Sequence, residues 1–98
     1  MASNARRIPR AAKRHPLHVP IVTDVGEGVT RDVSTKGVFF KAKGGFTVGA
    51  RITFSIVLGE DEGEAPLRLR CSGRVVRVET DDDEVGVAAQ ISSYSIEP

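Results

Sequence analysis

Two short patterns hold the side chains best suited to chemistry. The first is a basic arm, Arg6-Arg7-Ile8-Pro9-Arg10-Ala11-Ala12-Lys13-Arg14, and the second is Asp32-Val33-Ser34-Thr35-Lys36-Gly37. Guanidinium groups are planar, permanently charged forks that meet phosphates and paired acceptor edges bidentately, which lysine cannot do. The second pattern adds a carboxylate, a hydroxyl and a tight turn, where Gly37 suits either φ > 0 or a close backbone approach. A small ligand with both phosphates and planar base edges fits the combination. The same residues also have a plainer reading. Asp and Ser bond their own backbone in turns, and a basic N-terminal stretch suits a solvated tail.

Strands must position these groups. Pro9 and Pro16 interrupt the i, i+4 spacing of Arg6, Arg10 and Arg14, so residues 1–17 read as a flexible, extended arm rather than a helix. Residues 18–98 read as one β domain. Val19, Ile21, Thr23 and Val25 alternate on one face, with Pro20 marking an edge or irregular start. Gly26-Glu27-Gly28 suits a hairpin turn, Val29 to Ser34 a second strand, and Val38 to Ala42 a third. Ile52, Phe54, Ile56 and Leu58 form the inward face of a fourth. Leu67, Leu69 and Cys71 face inward on a fifth, and a bulge near Gly73 turns Val76 and Val78 inward after it. Asp81-Asp82-Asp83-Glu84 caps the last hairpin, and Val85, Val87, Ala89 and Ile91 line the sixth strand. Six short strands with no helical period predict an all-β antiparallel barrel or sandwich.

Charge and composition narrow the function classes. The 98 residues carry a formal net charge of +1. Residues 1–20 hold five Lys/Arg and no Asp/Glu, leaving nine basic and thirteen acidic residues in the rest. A basic arm on a mildly acidic body suits an anionic ligand better than a nucleic acid, for which the few aromatics also give little base stacking. No apolar run of about 18 residues is present, so no membrane span is expected. The single Cys71 cannot form an internal disulfide, fits a reducing cytoplasm, and lies on an apolar alternation as a core residue. His15, His18 and Cys71 do not make a zinc site, and the acidic tip lacks calcium-loop spacing, so no metal is expected. No nucleophile–base pair can be assembled either, which argues against an enzyme.

Arg10-x-x-x-Arg14 followed by Asp32-x-Ser34-x-x-Gly37 resembles the two-part signature of PilZ domains. Gly37-Val38-Phe39-Phe40, Gly73-Arg74-Val75-Val76-Arg77 and Gly86-Val87-Ala88 also sit where that family has them, and the resemblance covers nearly the whole chain. It implies a six-stranded antiparallel β-barrel, the PilZ-like split barrel, that binds the bacterial second messenger cyclic di-GMP. It further implies Arg10, Arg14, Asp32, Ser34 and Gly37 as ligand-binding residues; beside them, Arg6, Arg7 and Arg74 are candidates for additional contacts. Arg6-x-x-x-Arg10 matches the arm pattern equally well; Arg14 lies nearest the first strand and is favoured. Arg74 and Arg77 equally suit a solvated strand face.

Arginine chemistry supports these roles. Guanine offers O6 and N7 to an arginine fork, a contact worth about 1–3 kcal/mol in discrimination. Asp32 can accept the N1–H and N2–H donors of the opposite edge or hold an arginine in place. The expected function is therefore a cytoplasmic, non-enzymatic cyclic di-GMP receptor without other cofactors, whose arm orders on the ligand and signals to a partner protein. The alternatives are a PilZ-like adaptor that binds no nucleotide and an OB-like nucleic-acid module.

Overall fold

The computed structural model describes residues 15–59 and 66–97. Arg6, Arg7, Arg10 and Arg14, together with loop 60–65, lie outside the described residues. The strands are β1 (His15–Pro16), β2 (Pro20–Thr23), β3 (Glu27–Val33), β4 (Gly37–Ala42), β5 (Arg51–Leu58), β6 (Leu67–Asp81) and β7 (Glu84–Glu97). The sheet order β1-β3-β2-β5-β6-β7-β4, with β4 also pairing to β3, closes six antiparallel strands into a barrel. β1 is an extra two-residue strand laid on β3, His15 opposite Val33 and Pro16 opposite Asp32. Residues 15–17, which the sequence places in the arm, are thus held against the barrel wall.

Period-two alternation builds the core. Ile52, Phe54 and Ile56 from β5, Val38 and Phe40 from β4, and Val87 and Ala89 from β7 all turn inward and are buried. Phe40 is the central packing element, edge-on to Phe46 at 5.7 Å and tilted against Phe54 at 6.5 Å between ring centroids. Such aromatic contacts add to the area each ring removes from water.

Two bulges and a turn correct three features of the sequence reading. The extra residue on β6 is Val76 itself, between the pairs Val75–Ala89 and Arg77–Ala88, so Val75 is buried and Val76 is half exposed. The irregularity at Gly73 belongs to β7, where Ser92 is the additional residue between Ile91 and Ser93. The first hairpin also turns earlier than expected. Thr23 Oγ1 accepts from the Val25 and Gly26 N–H groups at 3.0 and 2.8 Å and donates to the Gly26 carbonyl at 2.6 Å. Glu27 and Gly28 therefore already belong to β3, and Val25 lies exposed in the turn instead of facing the core.

Cys71 is buried among these residues, as its alternation predicts, and burial pushes its thiol up from about 9 to about 11. The folded chain thus keeps the thiol neutral where the unfolded chain ionises it. Stability from this source is complete below about pH 9 and falls by roughly 2–3 kcal/mol as pH rises through about 11. Urea melts between those limits should show Cys71→Ala losing less stability with pH than the wild type. Equal slopes would remove the buried thiol as the cause.

Candidate ligand site

Asp32 reaches the outer wall through a bulge. Thr30 pairs with Phe40 and Asp32 with Phe39, so Arg31 is the extra residue on β3. Without it, Asp32 would fall on the inward phase; with it, the half-buried carboxylate-bearing residue shares the outer face with Phe39. One residue beyond β3, Ser34 organises the turn into β4. Its backbone N–H donates to the Gly37 carbonyl at 2.8 Å, and its Oγ accepts from the Lys36 and Gly37 N–H groups, both at 3.2 Å. The hydroxyl proton faces the Gly37 carbonyl only at a long 3.5 Å. It can therefore turn toward another acceptor without loss of a strong bond.

Gly37 resolves the choice left open by the sequence. A Cβ there would lie 2.9 Å from the Ala89 carbonyl oxygen, so the glycine serves close strand approach, and positive φ occurs elsewhere. Gly37→Ala should cost about 1–3 kcal/mol in chemical denaturation as β4 and β7 separate.

Two rows of the outer wall extend from this turn. One runs Asp32–Phe39–Ala88–Arg77 across β3, β4, β7 and β6. In it the Arg77 guanidinium lies 5.7 Å from the Phe39 ring centroid, while its Nε donates to Glu79 at 2.8 Å. Such stacking is worth about 0.5–1 kcal/mol at an exposed site. The other row runs Gly37–Gln90–Arg74–Arg51. Arg74 is therefore two strands from Gly37, roughly 10 Å at ordinary strand spacing. One arm of its guanidinium donates to the Gly49 carbonyl at 2.7 Å.

The segment leading to the site is held by Thr30, which is fully buried. Its hydroxyl donates to the Leu17 carbonyl and accepts from Val19 N–H at 3.0 Å, while Leu17 N–H donates to the Arg31 carbonyl at 3.1 Å. A side chain thus fills the gap in the ladder between β1 and β2. Thr30→Val should cost about 1–3 kcal/mol by orphaning both groups, read as a lower urea midpoint.

Asp32, Ser34 and Gly37 are brought together on one strand and turn, and Arg74 joins them across Gln90. The arm arginines lie outside the described residues. Sequence reasoning did not single out Phe39, Gln90 or Thr30, and its reading of Arg77 on a solvated strand face agrees with the exposed guanidinium. The pairing of a phenylalanine on β4 with an arginine on β6 is a non-local feature. The Thr30 role depends on partners 13 and 11 residues away. Among the described residues, no helix is long and apolar enough to cross a membrane.

Comparison with known proteins agrees with this architecture. The Bacillus subtilis inhibitor of motility, MotI/DgrA, has a similar solved structure, with TM-score 0.73 and 13% identity. The similarity covers 97% of this chain and 45% of that one, so the chain spans less than half the length of that neighbour. No curated protein matches the chain. The PilZ domain family matches residues 4–97, a span that takes in the arm, the Asp32–Gly37 turn and the closed barrel, and the chain belongs to that family.

Proposed function

We propose that the chain is a receptor for cyclic di-GMP that acts by binding rather than catalysis. The observation that carries the reading is the pairing of His15 and Pro16 with Val33 and Asp32. It fixes the chain one residue after Arg14 beside the carboxylate of the second motif. In this reading Arg10 and Arg14 fold over the ligand and meet the guanine O6/N7 edges and the phosphates. Asp32 accepts from the guanine N1–H and N2–H donors, and Ser34 turns its hydroxyl proton to a phosphate. Phe39 and Arg77 form part of the floor, with Arg74, Arg6 and Arg7 as outer contacts. No further cofactor is required.

Ordering the arm costs about 1–2 kcal/mol per residue fixed, whereas micromolar affinity leaves a net of about −8 kcal/mol. Several contacts must therefore form together, and the ordered arm then presents a new surface to a partner protein in the bacterial cytoplasm. The adaptor reading retains one support: Ser34 and Gly37 have structural duties in the hairpin that need no nucleotide.

Calorimetric titration with cyclic di-GMP decides between them. The receptor reading expects saturable binding at micromolar or lower concentration, lost in Asp32→Ala. A folded wild-type chain that gives no heat would leave the adaptor.

A further inference from the structure

The outer face of β5, β6 and β7 carries a set of arginines of which the proposed nucleotide site uses only Arg74. Arg51, Arg68, Arg70 and Arg74 are all exposed there. Register sets Arg70 between Ser55 and Ser95, with Thr53, Ser72 and Ser93 in the next row, and Arg68 between Val57 and Glu97. Arg74 is engaged with Gly49. The side chains of Arg51, Arg68 and Arg70 have no ion-pair or hydrogen-bond partner among the described residues. Successive outward residues on a strand are about 6.8 Å apart, so Arg68 and Arg70 offer two forks, neither ion-paired among the described residues, at the spacing of alternate residues on an extended segment.

We infer that this face docks an acidic protein segment, one that presents carboxylates at alternate positions to Arg68 and Arg70. The occupant follows from charge and shape together. Arginine forks meet carboxylates bidentately, and arginine is favoured while lysine is depleted in protein interfaces. Beside Arg70 a shallow depression of about 240 Å³ is lined by Val22, Thr23, Asp24, Thr53, Phe54 and Ser55, and the exposed Val22 there offers an apolar contact to a protein side chain. Among the described residues this face also presents no exposed ring for base stacking, which disfavours a nucleic acid. The surface stands with or without nucleotide, although its Arg74 end borders the Gly37 turn through Gln90.

The test is an amide NMR titration of the full chain at low salt with a synthetic peptide alternating Glu with Thr or Val. Oligothymidylate and phosphatidylglycerol vesicles are run in parallel. Saturable shifts should centre on residues 51–57 and 68–74, and Arg68→Ser/Arg70→Ser should weaken binding at least about tenfold. Arg68→Lys/Arg70→Lys, which keeps charge without the fork, should fall between. Both variants carry only exposed changes, and thermal melts check their fold. Equal affinity in the serine variant, or shifts confined elsewhere, would overturn the assignment. Tighter binding of oligothymidylate or vesicles to the same residues would overturn the choice of a protein occupant. None of these outcomes depends on the cyclic di-GMP titration.

Discussion

Arg14→Ala should lower cyclic di-GMP affinity by roughly 30-fold to 150-fold, the equivalent of about 2–3 kcal/mol for a lost bidentate and stacking arginine. The expectation rests on chain reach. His15 is paired opposite Val33, and Pro16 opposite Asp32. Consecutive Cα atoms are about 3.8 Å apart, so of the arm arginines Arg14 has the shortest covalent tether to this anchored pair. Arg10 begins at most roughly 14 Å further out and Arg6 roughly 29 Å, at the limit of an extended chain. Each additional residue that must be ordered adds about 1–2 kcal/mol of backbone cost. Arg10→Ala should therefore resemble Arg14→Ala, whereas Arg6→Ala should change affinity less than about threefold. Calorimetry on the three variants reads the register directly. If Arg6→Ala were the damaging change and Arg14→Ala the neutral one, the register would be Arg6/Arg10 and the reach argument would be wrong. A lysine at position 14 should rescue only part of the loss, because it restores charge without the fork.

The portions of the structure legible in the sequence are those governed by strict alternation. On β5 the burial of Ile52, Phe54 and Ile56 follows from period two, and β7 behaves likewise through Val85, Val87 and Ala89. Alternation fails where the ladder gains a residue. Val75 and Val76 are chemically the same, so nothing local says which one the bulge expels; the partner strand decides through Ala88 and Ala89. Arg31 is a second such case, and it turns Asp32 to the outer face. Ser34 and Gly37 were legible as turn residues because their bonds are local. Thr30 was not. A threonine in a strand reads as an ordinary β-former, and its bond to Leu17 exists only after β1 and β2 have settled on β3.

Phe39 and Phe40 offer the sharpest separation of stability from binding, since adjacent strand residues face opposite sides of the wall. Phe40 is fully buried and touches both Phe46 and Phe54. Phe40→Ala should cost about 3–5 kcal/mol through lost burial and the cavity left behind. That is a large share of the roughly 5–15 kcal/mol typical of a domain, so the variant should be partly unfolded near body temperature. Its urea midpoint should fall steeply. Phe39 lies on the outer face with Arg77 stacked on it. Phe39→Ala should cost only about 1 kcal/mol, the stacking term plus modest burial. Under the receptor reading it should nevertheless weaken cyclic di-GMP, because Arg77 loses the platform that holds its guanidinium over the row leading to Asp32. Phe39→Leu should restore stability without restoring affinity, since it refills apolar volume but has no ring face for the guanidinium. Denaturation and calorimetry on the three variants should therefore rank them differently. Identical ranking by both measurements would mean that Phe39 acts only through the fold, and Arg77 would leave the proposed floor with it.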